Sequence, residues 1–398
     1  MKRTAVRACP ICAGILVDVL HTQRFELWQG HPLSDGYAVV CCRACGFVYA
    51  DTKVTQATYD SYYAELSKYQ DLRTSSGSGG DPFDRKRLEA TARQIVDFLR
   101  SPDARILDVG CANGGLLKVL REAGCTSLCG IDPSPACVEN TRSWGIEAYP
   151  GTFSRPFPHG RIDCAVLSHT LEHVHDLNEA TRWIGAVLAE NGTVYVEVPD
   201  ATRYVDYLYA PFQEFNSEHI NHFSLLSLQR LMSRAGYQML TAGEKLVPTS
   251  NDTNYPAVFG FWRRAKPGSA MPELTKDDGL QNSLVRYVRE SRTLMDRIES
   301  QLQKILPRSS PVVVWGTGQL VLKLLVETLL AKAEIAAFVD SNPINQGRVL
   351  RGVSVISPEA VRGLAAPIVI GTTLHQRAIV EQIRRMGLSN EILLLEAH

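Results

Sequence analysis

Apolar and polar positions alternate along this chain with two different periods. From residue 85 the apolar positions keep helical spacing as far as Leu99, predicting an amphipathic helix. Short apolar runs and helical patterns then take turns. Strands are predicted over 105–109, 127–131, 146–149, 162–167 and 193–198. Helices are predicted over 116–123, stopped by Gly124, and over 177–188, with Leu177, Ala180, Ile184, Val187 and Leu188 on one face. Ser224 opens a further helix that buries Leu228, Leu231, Met232 and Ala235 and closes at Gly236. Two longer strands, near 238–247 and 256–263, follow with no helix between them.

This alternation predicts an α/β fold, a Rossmann-like parallel sheet wrapped by helices on both faces. The helix-free pair predicts an antiparallel edge. A polar break over 267–279 precedes a helical pattern at 280–306, with Leu280, Leu284, Tyr287, Leu294, Ile298, Leu302 and Ile305 on one face. That pattern reads as a packed connecting helix rather than a dimer contact. From Pro311 a smaller α/β unit begins. The expected organisation is a small front module (1–73), a central domain (82–266), the connecting helix (280–306) and a C-terminal α/β domain (307–398). The run Thr74-Ser-Ser-Gly-Ser-Gly-Gly80 reads equally as a linker or as a lid.

Composition narrows the class of protein. The chain has 398 residues, 45% hydrophobic and 21% charged, enough for cores that need no disulfide staples. Lys+Arg and Asp+Glu are both 42, so the formal net charge is zero, which argues against a nucleic-acid partner. No apolar run reaches the roughly 18 residues of a membrane span. Arg7 and Asp18 interrupt any signal-peptide core, so a cytoplasmic location is expected. In a reducing compartment the ten cysteines read as metal ligands before disulfides.

Two stretches carry chemistry. Cys9-Pro-Ile-Cys12 and Cys42-Arg-Ala-Cys45-Gly46 are paired knuckles, each able to aim two thiolates at one zinc ion in a closed structural site. Cys41 breaks the spacing and reads as a bystander. Ile106-Leu-Asp108-Val-Gly110-Cys-Ala112-Asn113-Gly-Gly115 is a strand running into a glycine turn and a helix. Ligands of such folds sit beyond the carboxyl ends of the strands, and Gly110 admits a close backbone approach. Ala112 replaces the second glycine of a dinucleotide fingerprint, which suits a small zwitterion better than a pyrophosphate. Asp132, ending the next strand, is placed to accept hydrogen bonds from both hydroxyls of an adenosyl ribose.

The glycine motif, Asp132 and the run Leu167-Ser168-His169-Thr170-Leu171-Glu172-His173-Val174 together resemble class I S-adenosylmethionine (SAM) dependent methyltransferases. The resemblance implies SAM as cofactor, with Asp108, Gly110, Asn113 and Asp132 in its cradle and Ser168 and His169 beside its methionine part. The front knuckles, Glu218-His219 followed by Phe223-Ser224, and the tail domain widen the resemblance to zinc-containing sugar C-methyltransferases of nucleotide-deoxysugar biosynthesis. That family implies carbon methylation next to a keto group of a nucleotide-linked sugar. It places the base on the Glu218–His219 pair, with His173 and Tyr69 assisting. Asn216 stands where the family has a tyrosine. His219 has a side chain suited to general-base work near neutral pH. The same machinery also suits an oxygen or nitrogen acceptor. An RNA methyltransferase and a non-catalytic SAM-fold scaffold are the remaining readings.

The C-terminal stretch Val312-Val-Val-Trp-Gly316-Thr-Gly318-Gln319, with Asp340 ending the following strand, mimics a dinucleotide site. Val321 occupies the third glycine position, so the expectation is a nucleotide-fold unit without a working dinucleotide site. The resemblance to the sugar C-methyltransferases extends through Asp340-Ser-Asn-Pro343 and Gln346-Gly-Arg348.

Overall fold

The computed structural model describes residues 2–66, 77–153, 157, 160–250, 253–266, 268 and 275–395. In chain order the first elements are β1 (Lys2–Thr4), β2 (Leu16–Arg24), β3 (Gly36–Cys42), β4 (Val48–Asp51), α1 (Gln56–Leu66) and α2 (Pro82–Leu99). Asp81 caps α2 by accepting from the Phe83 and Asp84 amides, and Pro82 takes the first helical position, where its missing N–H costs nothing.

The central αβ alternation follows: β5 (Ile106–Val109), α3 (Gly115–Glu122), β6 (Leu128–Asp132), α4 (Pro135–Ser143), β7 (Glu147–Pro150), β8 (Ile162–Ser168), α5 (Leu177–Val187) and β9 (Leu188–Pro199). Next come a two-residue strand β10 (Asn221–His222), α6 (Leu225–Arg234) and the hairpin β11 (Tyr237–Pro248) with β12 (Asn254–Arg264). The central sheet has the order β11-β12-β9-β8-β5-β6-β7. Strands β9 through β7 in that order are mutually parallel, while β12 pairs antiparallel with both β9 and β11. The expected antiparallel edge is therefore refined. The hairpin's second strand enters next to β9 and its first strand forms the rim.

From β5 the chain winds outward through β6 and β7, then returns to lay β8 and β9 on the other side. The switch point lies between β5 and β8, and the crevice beyond their carboxyl ends is the predicted ligand position. Behind it, Leu88, Ala92 and Ile95 of α2 and Leu116 and Leu120 of α3 pack on Ile106, Val166 and Tyr195.

The front strands form a second sheet, β1-β2-β3-β4-β10, in which β10 pairs antiparallel with β4 (Asn221 opposite Tyr49, His222 opposite Val48). A strand that follows β9 of the central domain thus completes the sheet that begins with the cysteine module.

The chain divides into two compact units. The first comprises 1–19, 40–207 and 218–283, and the second 20–39, 208–217 and 284–398. The second unit contains the helix α7 (Asp278–Ile305) from Leu284 onward, then β13 (Val312–Trp315), α8 (Gln319–Glu327), β14 (Ile335–Val339), β15 (Val349–Leu350), β16 (Val353–Ile356), β17 (Ile368–Ile370), α9 (Gln376–Arg385) and β18 (Ile392–Leu394). Its sheet runs β15-β16-β14-β13-β17-β18, parallel except for β15. The two short inserted segments are held by polar bonds. Buried Lys323 gives protons to Gln23 and Glu327, each at 2.7 Å, and sits over the Phe212 ring. Gln23 donates to the Phe215 carbonyl at 2.7 Å, and the Tyr287 hydroxyl accepts from the Glu214 amide at 2.9 Å.

His222, fully buried in β10, makes the first unit sensitive to acid. Burial, helped by the charge of His219, lowers its pKa to about 3. The unfolded ring titrates near 6.5, so below that pH the unfolded chain binds a proton that the folded one refuses. The contribution is complete above about pH 6.5 and declines as pH falls, by about 2 kcal/mol on reaching pH 5. His222→Asn is expected to flatten stability against pH between those values by that amount, read from denaturant midpoints; an unchanged slope would rule the residue out.

Candidate functional site

The glycine turn after β5 is built by three left-handed residues, Gly110, Ala112 and Gly114 (φ 76°, 46° and 76°). Ala112 tolerates this because its amide donates to the Asp132 carboxylate at 2.9 Å. The other oxygen of Asp132 accepts the Ser134 amide at 2.8 Å. Each oxygen keeps a further lone pair for a ligand hydroxyl. Burial pushes Asp132 up to about 6 against the pull of those two amides. Asp108, also buried, is pushed up to about 7 by burial and by the charge of Asp132. Asn113 is fully buried, and its side-chain oxygen accepts from Asn140 at 2.8 Å.

Residues 77–80 of the Ser-Gly stretch close over this turn. The Gly77 carbonyl accepts from the Gly115 amide at 3.0 Å, while the Gly77 and Gly79 amides both donate to Asp84 at 2.8 Å. A Cβ on Gly115 would lie 2.5 Å from the Gly77 oxygen, so glycine is required at that crossing. Residues 74–76 of the stretch, and Tyr69, lie outside the described residues.

The end of β8 borders the same turn. Thr170 donates from its hydroxyl to the Val109 carbonyl at 2.9 Å, and its side chain lies where a Cβ on Gly110 would need room. The Ser168 hydroxyl is buried with no hydrogen-bond partner among the described residues, as expected of a group reserved for a ligand. His169 differs from the sequence expectation in its side chain. It sits at φ 54° with both ring nitrogens engaged, Nδ1 with Glu172 at 3.2 Å and Nε2 with Glu197 at 3.0 Å. Burial opposes a charge on this ring, but the two carboxylates outweigh it and raise its pKa. Glu197 is in turn surrounded by Lys245, Tyr195 and Thr91. Despite burial, these partners and His169 hold its carboxyl well below the usual range. The His169 ring is thus fixed between two carboxylates.

One short turn further on, the loop reaches a second cluster. Donor atoms of Glu172, His173 and His219 all lie within 4.8 Å of one another, and the His173 and His219 rings meet edge to face at 4.9 Å. His173 Nδ1 lies 3.1 Å from the Glu218 carbonyl and 2.9 Å from the Tyr63 hydroxyl. The Glu218 carboxylate points elsewhere, accepting from Tyr62 at 3.5 Å. The carboxylate beside the imidazoles is therefore that of Glu172. Sequence reading passed over Glu172, Tyr62 and Tyr63. The signal for the tyrosines, an adjacent pair in a helix, is indistinguishable from core packing.

The cluster is held in place by the front module. Arg7, fully buried, reaches the carbonyls of Ala50, Ile220 and His175 and the side-chain oxygen of Asn221. Burial lowers its pKa only to about 10, so it stays charged. Asn221 donates to the Leu171 and Val174 carbonyls at 2.8 and 2.7 Å, and the Ile220 amide to the Glu172 carbonyl at 2.9 Å. Four sulfurs converge nearby in sequence to this sheet. Cys9 and Cys45 stand 3.5 Å apart, Cys12 and Cys42 3.4 Å, and all four lie within 4.8 Å. A tetrahedron with zinc–sulfur bonds of about 2.3 Å has edges of about 3.8 Å, so the donor set and spacing fit zinc. Gly46, at φ 78°, turns the second knuckle, where a Cβ would strike the Asp277 backbone at 2.6 Å. Cys41 bonds only to backbone carbonyls, as a bystander should.

Residues 83–242 match the family model described as a methyltransferase domain. The chain carries a methyltransferase domain. It contains the glycine turn, Asp132, the β8 loop and the Glu218–His219 pair, while the four cysteines lie before it. Over 271 residues the chain is 23% identical to C-methyltransferase NovU of Streptomyces niveus, a match covering 65% of this chain and 63% of that protein. The match therefore spans just under two thirds of the relative's length. Solved structures with related folds include the 1,6-didemethyltoxoflavin-N1-methyltransferase of Burkholderia thailandensis (16% identity, 55% of this chain and 95% of that one, TM-score 0.40). Another is the magnesium protoporphyrin IX methyltransferase of Synechocystis PCC 6803 (13% identity, 53% and 99%, TM-score 0.40).

In this methyltransferase domain Asn221 is the link that sequence reading missed. Asn221→Ala would take a donor from the Leu171 and Val174 carbonyls and an acceptor from one Arg7 proton, at about 1–3 kcal/mol for each group left unsatisfied. A fall of several degrees in melting temperature is expected. A melting temperature within a degree of the parent would show that the knot is dispensable.

Proposed function

We propose that this chain transfers a methyl group from SAM to a small-molecule acceptor, at a carbon next to a keto group of a nucleotide-linked sugar, and that a zinc ion on Cys9, Cys12, Cys42 and Cys45 stabilises its front module. The observation that carries the reading is the β8 loop. Its first residues border the glycine turn at Val109 and Gly110, and its last residues meet His219. One six-residue stretch thus joins a cofactor cradle to a pair of imidazoles.

SAM, when bound, supplies a methyl group activated on a sulfonium sulfur. Asp132 would hold the ribose hydroxyls, and Gly110 and Asn113 the turn beneath, with Asp108 fixing its base. Ser168 would donate its unengaged hydroxyl to the methionine part. His169 would set the loop's path, its ring fixed between two carboxylates. On the acceptor side, His219 would take the proton from the carbon as the general base. When doubly protonated, His173 would give its Nδ1 proton to the Glu218 carbonyl and its Nε2 proton to the developing enolate oxygen. Glu218 would orient the segment through its carbonyl and through Tyr62. Tyr69 remains a proposed participant. The relative named as a C-methyltransferase supports carbon over oxygen or nitrogen as the acceptor atom.

Asp132→Ala is expected to weaken SAM affinity by roughly tenfold or more, since charge-assisted bonds contribute about 1.5–3 kcal/mol each. Calorimetry showing unchanged affinity in a folded variant would misplace the ribose. His219→Ala is expected to keep SAM binding and lose about 10²–10⁴-fold in turnover. The parent should also exchange the acceptor's acidic carbon proton with deuterated water, and the variant should not. Turnover near the parent's would remove the base assignment. Lost turnover without any exchange in the parent would favour an oxygen or nitrogen acceptor.

A further inference from the structure

Glu172, His173 and His219 come from two separate segments, the turn after β8 and the approach to β10, yet their donor atoms fall within 4.8 Å of one another. Two imidazoles and one carboxylate are a ligand set for borderline divalent cations, with part of the coordination sphere left open. Six-coordinate ions at about 2.1 Å from each ligand space them from about 3 Å, side by side, to about 4.2 Å, opposed. The 4.0 Å between His173 Nε2 and Glu172 Oε1 lies inside that span.

Both first ligands carry the outer partners that metal ligands need. His173 Nδ1 faces the Glu218 carbonyl, which can only accept, so in the neutral ring the proton sits on Nδ1 and the lone pair on Nε2. Glu172 Oε1 is held by His169, which is itself fixed by Glu197. Glu172 is 1% exposed, and its Oε2 is buried with no hydrogen-bond partner among the described residues. Such an oxygen is costly to bury unless a cation or donor completes it.

We propose that Glu172, His173 and His219 form a second metal site, for a borderline divalent cation of the cobalt, iron or zinc class, separate from the four-cysteine cluster. A cation there takes the imidazole lone pair that His219 needs for proton abstraction. The site is therefore inhibitory. This last consequence rests on the methyl-transfer reading, but the binding does not.

The test uses the full chain, its initial zinc content measured, dialysed against cobalt(II) chloride. Expected is one equivalent of cobalt with no loss of zinc, and weak visible bands without the intense thiolate charge-transfer absorption. Glu172→Gln, which keeps an acceptor for His169, and His173→Ala should each weaken cobalt binding at least tenfold. No cobalt uptake, uptake only by zinc displacement with thiolate bands, or equal uptake by both variants would overturn the site. Cobalt bound in the parent with turnover unaffected would overturn its inhibitory role. A parent that binds cobalt yet, before any cobalt is added, methylates no keto-sugar acceptor would sink the functional reading and leave the site standing.

Discussion

The arrangement of the first unit depends on one buried polar knot, Arg7 with Asn221. Arg7 carries the only charge in it and gives protons to three carbonyls and one amide oxygen drawn from three parts of the chain. Asn221 accepts one of those bonds and donates its own two protons to either side of the Glu172–His173 turn. A buried guanidinium is tolerable only when its donors are met, so the knot fixes all of its members together or none of them. Strand β10, only two residues long, could not hold its place by its ladder bonds alone. Through this knot the cysteine module is tied to a histidine pair, one member of which lies more than two hundred residues away in sequence.

Charge burial follows the same logic at the β8 loop. Glu197 would be prohibitively placed inside the sheet without Lys245, Tyr195 and His169 around it. His169 passes the constraint on to Glu172, and Glu172 stands beside the imidazole pair. The left-handed backbone of His169 is the strained point of this chain of contacts, and it is held by bonds to both ring nitrogens and by its amide to the Glu197 carbonyl at 2.8 Å. Rigidity at the cofactor's edge and positioning at the acceptor's edge come from one row of side chains.

The second unit repeats the succession of strand, glycine turn and helix, and there the carboxylate after the next strand is bonded within the protein. Asp340 stands where a ribose-binding carboxylate would, but its oxygens accept from the Thr317 amide and hydroxyl, the Asn342 amide and the Asn345 side chain. Val321, at the position of the third glycine, is fully buried, and a Cβ on Gly371 would lie 2.2 Å from it.

Local rules were sufficient for much of this. Helical and strand periods located the central αβ elements other than α4 to within a few residues, because burial of one face imposes those periods directly. The paired knuckles and the glycine turn were legible for the same reason, since their geometry is made within a few consecutive residues. Ser168 and Asp132 could be placed at the ends of their strands because a strand end has a fixed direction. The sequence by itself did not reveal that Glu172, rather than Glu218, faces His219, nor that the His169 ring is consumed by Glu172 and Glu197. It did not show that 20–39 and 208–217 join the second unit through Lys323, Gln23 and Tyr287. Those outcomes depend on which buried polar groups meet across long sequence separations. Hydrophobic period says that a residue is inside; only the tertiary structure decides which partner satisfies it there.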